Sequence, residues 1–313
     1  MRVFVTGATG FAGSHLIDAL LAEQHEIFAL VHSASSPRSL PTHPRLHAVQ
    51  GDLLDLPGLR KVVQEVQPEV IYHLAGQASP ALSWRNPAQT LSVNTIGTVH
   101  VLEAAVAIGR PRVVVVTSAD IYGHLQEADL PLTELSLPHP RHPYGVSKYA
   151  AGQLVSVYWQ RYKLPVVEAR PFNHIGPRQT LGFVVPDFAS QLAAIKLGAR
   201  PPVISVGNLD AQRDFTDVRD VVRAYQLLAE KGKPGEAYLI CSGKPTAVAT
   251  ILETLIDLVG IEVTVQRDEN RMRPAEVPCV YGSYAKLAQD TNWKPQISLR
   301  QTLSDVLDEW LAL

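Results

Sequence analysis

The chain has 313 residues, 46% of them hydrophobic and 19% charged, with a formal net charge of −2 at pH 7. That composition suits a substantial core in one large domain or two intimate ones, and near-neutrality without a long basic run argues against nucleic acid or an anionic membrane as partner. Cys241 and Cys279 stand far apart and outside any metal-ligand spacing, no apolar run reaches membrane-spanning length, and the N-terminus opens on a strand rather than a leader, so no metal site and a cytoplasmic location are expected.

Short apolar or β-branched runs predict strands at Val3 to Thr6, Glu26 to Val31, Leu46 to Gln50, Val70 to His73, Val113 to Thr117 and Val166 to Ala169. Segments of helical spacing or polar loops separate them. Such alternation, with continuously apolar strands, predicts an α/β fold: a doubly wound parallel sheet covered on both faces. The first strand runs into "TGATGFAG", where Gly7, Gly10 and Gly13 recur every third residue and a helix opens at Phe11. Glycines there let the backbone approach a pyrophosphate, and the helix N-terminus adds amide donors and positive partial charge. The turn therefore predicts dinucleotide binding, with Gly7, Thr9, Gly10, Phe11 and Ala12 as candidate contacts.

After the second strand, "VHSASSPRSL" offers His32, Ser33 and Arg38 and no carboxylate to repel a ribose phosphate, so NADPH is expected ahead of NADH. The plainer reading of Arg38 is an ordinary loop cation. Past the third strand, Asp52 and Leu53 of "GDLLD" border an adenine, unless Asp52 or Asp55 simply caps a helix. Past the fourth, Leu74, Ala75 and Gly76 of "HLAGQA" let a cofactor lie against backbone.

The fifth strand ends in Thr117 and Ser118, at the carboxyl edge where such sheets bind ligands. In "YGVSK", Tyr144 and Lys148 stand four apart at the start of a helix and so share one face. A phenol has a pKa of roughly 10, and a neighbouring ammonium lowers it. The pair is a plausible proton donor and acceptor for an alcohol or a carbonyl, with Ser118 facing Tyr144 across the cleft. After Pro171 the pattern changes to helices and short strands broken by proline and charge. The expected organisation is a dinucleotide-binding domain over residues 1–170. Residues 171–313 form mainly a smaller mixed α/β substrate-binding lobe, with some segments returning to the first domain.

Together with the glycine turn, "GDL", "HLAG", "NTIGT", "TSADIYG", "YGVSK" and "RPFNHIGPRQ" make the chain resemble the extended short-chain dehydrogenase/reductase family along essentially its whole length. The resemblance implies a Rossmann-type domain of about seven parallel strands, a nucleotide-sugar substrate and a homodimer. It also implies that Tyr144 is the acid/base and Ser118 its carbonyl-polarising partner. Lys148 would both hold the nicotinamide ribose and tune Tyr144, and Asn94 and Pro171 join the cofactor contacts.

Within that family, "FNHIGPRQTLGFVVPDFASQL", "VGNLDAQRDFTDVRDVVRAY" and "RPAEVPCVYGSYAKL" look most like enzymes acting on GDP-sugars. On that ground Asn173, Val185 and Arg213 become substrate contacts, Arg273 grips the diphosphate and Glu276 meets a ribose or base edge. An Arg–Glu surface pair is the plainer reading of Arg273 and Glu276, and His174 reads as structural. The family's dehydratases end this strand in Thr-Asp-Glu or Thr-Ser-Glu, where this chain has Ser118, Ala119 and Asp120; a single, shorter carboxylate remains. The implied activity is NADPH-dependent reduction of the C4 ketone of GDP-4-keto-6-deoxy-mannose to GDP-D-rhamnose, with Asp120 among the substrate contacts. GDP-mannose 4,6-dehydration and nucleotide-sugar 4-epimerisation stay open, as does a non-catalytic dinucleotide sensor, which would need only the glycine site.

Overall fold

A computed structural model describes residues 1–32, 40–123, 126–271 and 277–313. The strands are β1 (Arg2–Thr6), β2 (Glu26–Val31), β3 (Leu46–Gln50), β4 (Val70–His73), β5 (Arg112–Val116), β6 (Val166–Pro171), β7 (Asn173–Ile175), β8 (Val203–Val206), β9 (Gln212–Asp217), β10 (Ala237–Ile240), β11 (Pro245–Ala247), β12 (Thr264–Arg267) and β13 (Cys279–Val280). The helices are α1 (Phe11–Ala22), α2 (Leu56–Val66), α3 (Pro80–Arg85), α4 (Pro87–Leu91), α5 (Gly97–Ala107), α6 (Pro143–Tyr162), α7 (Val184–Lys196), α8 (Val218–Lys231), α9 (Val248–Val259), α10 (Ala285–Thr291) and α11 (Leu299–Leu311).

Seven strands form one parallel sheet in the order β3-β2-β1-β4-β5-β6-β10, the expected Rossmann-type winding. The chain starts in the middle, winds outward to β3, and then returns beside β1 to wind the other way. That reversal opens a crevice between the carboxyl ends of β1 and β4. Side chains alternate across the sheet. Val3 and Val5 face Leu16, Ile17 and Leu20 of α1 and Val221 and Tyr225 of α8, whereas Phe4 faces Leu59 and Val63 of α2 and Leu102 of α5. Each such fully buried aliphatic or aromatic side chain contributes about 1.5–3 kcal/mol over an exposed one, so both faces fix the strand register.

The seventh strand and one covering helix come from far along the chain. β10, α8 and α10 join the first core layer, where Leu287 and Trp293 are fully buried. A separate core gathers α7, α9 and α11 against β8 and β9. Beside it β9 pairs with β7, β11 and β13, and β8 with β12. Among the described residues, no helix is long and apolar enough to cross a membrane.

Candidate active site

The glycine turn hugs the sheet edge. Gly7 takes φ +77°, and a Cβ there would lie 2.6 Å from the Ala75 amide nitrogen. A Cβ on Gly13 would run into the Gly7 carbonyl, so α1 crosses this close only because the position is bare. The N-cap of α1 is Gly10, which offers no side chain to the first-turn amides and leaves them to an anion. Thr9, Phe11 and Ala12 line this cradle half-buried, and the Phe11 ring stacks on His174 with centroids 5.7 Å apart. A cradle that any side chain would fill fits a dinucleotide pyrophosphate.

At the end of β2, His32 lies 3.6 Å from the Asp52 carboxylate, both half-exposed. Asp52 is not the cap of α2; Asp55 is, accepting from Gly58 N at 3.2 Å. Leu53 packs beneath Gly97, and its carbonyl meets His100 Nδ1 at 2.7 Å. Ser33 and Arg38 lie outside the described residues.

From β4 a buried chain of hydrogen bonds crosses the site. Leu74 N donates to Thr6 O and Ala75 N to Thr6 Oγ1, which meets His73 Nδ1 at 2.7 Å. His73 Nε2 lies 3.1 Å from Thr98 Oγ1, whose own proton goes to Asn94 O at 2.6 Å. With that proton spent, Nε2 is the donor and Nδ1 the acceptor, so His73 is neutral. Burial, and then the Lys148 charge, hold its pKa down at about 3. Asn94 sits in a π-helical turn, Ser92–Ile96, between α4 and α5, a distortion often found at functional sites. Its amide clamps Gln77, accepting from N at 2.8 Å and donating to O at 3.0 Å, and donates to Ser147 Oγ at 2.9 Å. Gly76 closes over this group; a Cβ there would lie 2.7 Å from Asn94 Oδ1 and 3.4 Å from Lys148 Nζ.

The helix carrying the tyrosine starts at Pro143, and its cap is His142, whose Nδ1 accepts from Gly145 N at 3.0 Å. The same ring stacks on Tyr144, with centroids 5.9 Å apart, and turns Nε2 toward the Asp120 carboxylate at 3.8 Å. Tyr144 and Lys148 are both buried, one turn apart. The Ser118 hydroxyl stands beside the Tyr144 phenol and works to lower its pKa, and Ser118 Oγ accepts from Asp120 N at 3.1 Å.

One expectation needs correcting here: Lys148 does not lower the Tyr144 pKa. Burial first, and then the Asp120 charge, push it well above the ordinary phenol range, against the Ser118 hydroxyl. The Lys148 ammonium donates to the Val116 carbonyl at 2.9 Å. Burial pulls Lys148 down to about 8, opposed by the Glu168 carboxylate. The phenol is therefore held protonated, the form that acts as a general acid.

On the substrate side, β7 runs parallel to β9, so Asn173, exposed at its start, stands across from Phe215, two residues along from Arg213. Arg213 donates to Gln212 O at 2.7 Å. The neighbouring Asp214 fixes the strand from below, accepting from Ser242 N, Ser242 Oγ and Gly243 N at 2.6, 2.7 and 2.9 Å. Pro171 closes β6 and is buried. Val185 is a second correction: the phase of α7 turns it into the core of the C-terminal half, fully buried, so its side chain offers no surface to a ligand. Arg273 and Glu276 lie outside the described residues. His174 Nδ1 stays on the Phe172 carbonyl at 3.1 Å, in keeping with a structural role.

Gln77, Ser147, His142 and Glu168 belong to the site and escaped the motif reading. Two of them leave a signal: His142 occupies the residue before Pro-Tyr, where a helix cap belongs, and Glu168 interrupts an apolar strand.

The GDP-mannose 4,6 dehydratase family profile matches residues 4–306. The chain is 40% identical over 310 residues to GDP-6-deoxy-D-mannose reductase of Pseudomonas aeruginosa, covering 99% of this chain and 97% of that protein. It is 29% identical to GDP-mannose 4,6-dehydratase of Sinorhizobium fredii, covering 98% and 96%. The structure of RMD from Pseudomonas aeruginosa complexed with NADPH superposes with a TM-score of 0.87 at 38% identity, covering 99% of both chains.

Proposed function

We propose, from the premise that the chain belongs to the GDP-mannose 4,6-dehydratase family, that it reduces the C4 ketone of GDP-4-keto-6-deoxy-mannose with NADPH to give GDP-D-rhamnose. The observation that carries this reading is a phenol kept protonated: Tyr144 is buried beside Ser118 and raised in pKa by burial and by Asp120. A carbonyl oxygen accepting a hydride needs a proton donor and a second hydrogen-bond donor beside it. Tyr144 Oη supplies the proton and Ser118 Oγ the second bond. The relative at 40% identity, named as a reductase, favours this reading over the dehydratases at 29%.

The glycine turn, Ala75, Gly76 and Lys148 are the groups that would hold NADPH, which supplies the hydride when bound. Lys148 directs its ammonium to the ribose hydroxyls while anchored on Val116 O. Asp120, Asn173 and Arg213 are the proposed sugar-nucleotide contacts, with Arg273 and Glu276 joining them on the strength of the motif alone. Residues 1–170 then serve the cofactor and residues 171–313 mainly the sugar nucleotide. The proposal includes a homodimer, supported by exposed Trp84, Leu91, Ile96, Val146 and Val157 on the packed group α3 to α6.

The test is to incubate the purified chain with GDP-mannose alone, and separately with GDP-4-keto-6-deoxy-mannose and NADPH. The reductase leaves GDP-mannose unchanged and oxidises NADPH in step with ketone loss. Loss of water from GDP-mannose, abolished in Asp120→Asn, would replace this reading with the dehydratase. Inversion at C4 without net NADPH oxidation would replace it with a 4-epimerase.

A further inference from the structure

β6 is buried along its whole length, yet it carries Glu168 and Arg170. Two apart on a strand, they share one face of the sheet. Arg170 Nε and Nη2 donate to Glu168 Oε1 and Oε2, both at 2.8 Å, in a forked pair whose side chains are 9% and 3% exposed. A pair so dry gives up the hydration of two ions and adds little net stability over apolar residues of the same volume. The cost calls for another reason to keep it.

The pair's remaining bonds supply one. Glu168 Oε1 accepts from Thr117 Oγ1 at 2.6 Å, and Arg170 Nη1 donates to Tyr122 Oη at 2.7 Å. Thr117 and Tyr122 bracket the short turn that carries Ser118 and Asp120. The other side of the carboxylate faces α6. Gly152, one turn beyond Lys148, is bare where a Cβ would run into the Glu168 carboxylate, so the helix lies directly on it. The Lys148 charge also acts on His73 from β4, which is neutral, and Lys148 stands one turn from the protonated Tyr144. Neither supplies a negative charge, and the Glu168 carboxylate is what favours the Lys148 ammonium against burial.

We propose that the Glu168–Arg170 pair is a positioning device for the reaction: it pins the Ser118 turn from both flanks and seats α6, with Lys148 on it, against the sheet. The idea rests on the proposed function for its catalytic consequence. Its structural and cofactor consequences stand apart from it.

Three variants test it. Glu168→Met with Arg170→Met removes both ions together. That variant should melt at or near the wild-type temperature and have a kcat lower by about tenfold or more. Glu168→Gln keeps an acceptor for Thr117 and loses the charge; the pH above which NADPH binding weakens should fall by about one unit, because Lys148 sheds its proton earlier. Tyr122→Phe deletes one bond and should lower kcat severalfold with the KM for NADPH unchanged. NADPH binding, followed by cofactor fluorescence, reports on Lys148 whichever sugar the enzyme takes, so an inactive wild type would defeat the reductase reading and leave this test intact. Should the double variant not fold, the two single variants decide. Wild-type kcat in Tyr122→Phe, together with an unmoved pH limit for NADPH binding in Glu168→Gln, would overturn the proposal.

Discussion

Raising the pH separates the two groups on α6. Burial draws Lys148 from 10.5 down to about 8, while Tyr144 is lifted above its ordinary range. Through the mildly alkaline region Tyr144 keeps its proton and Lys148 loses its charge. The ribose-binding ammonium is present below about pH 8 and lost above it, so kcat/KM for NADPH should fall by about tenfold per pH unit beyond that point. Folding stability moves the other way. The unfolded chain binds the extra proton between about 8 and 10.5, so stability rises across that window by about 3 kcal/mol, the cost of keeping the ammonium buried at neutral pH. Lys148→Met should therefore melt above the wild type at pH 7 and bind NADPH poorly, the stability gain shrinking toward pH 10.5. Steady-state rates and thermal melts over pH 6 to 10.5 read both trends. An alkaline limit at pH 10 or beyond, together with a Lys148→Met variant that melts lower at pH 7, would refute the reasoning.

Tyr144→Phe should lower kcat by about 100-fold or more with NADPH binding nearly intact, as measured by single-turnover rates and cofactor titration. Gly13→Ala puts a methyl group against the Gly7 carbonyl; NADPH affinity should drop sharply in a calorimetric titration, while the sheet, judged by circular dichroism, persists. His142→Ala deletes the cap of α6 and should cost about 1 kcal/mol in urea unfolding, whereas His142→Ser should recover that loss.

The sheet was legible because its strands are short, apolar and locally bounded: Glu26–Val31, Leu46–Gln50 and Val70–His73 match the predicted runs end to end. The glycine turn and the Tyr144–Lys148 spacing were legible for a related reason, since period and spacing are local properties. The seventh strand was hidden because β10 joins β6 from more than sixty positions away. The direction of the Tyr144 shift was hidden too. Spacing put a lysine on the same face, but the outcome is set by burial and by Asp120, which arrive from the tertiary fold. Val185 failed as a contact because the phase of α7 against its neighbours decides which side faces the core. Glu168 and Arg170 left a local signal that the motifs did not use: two opposite charges on one face of an apolar strand mark a buried pair, though not what lies above it.

The central claim is hydride transfer to C4 with proton delivery from Tyr144, and isotope tracing tests it directly. The enzyme is supplied with GDP-4-keto-6-deoxy-mannose and NADPH deuterated at the transferred position, and the sugar product is examined by NMR and mass spectrometry. One deuterium is expected, at C4 of a GDP-6-deoxyhexose with the rhamnose configuration, with one NADPH oxidised per sugar formed. A product without deuterium at C4, or sugar conversion without NADPH oxidation, would contradict it.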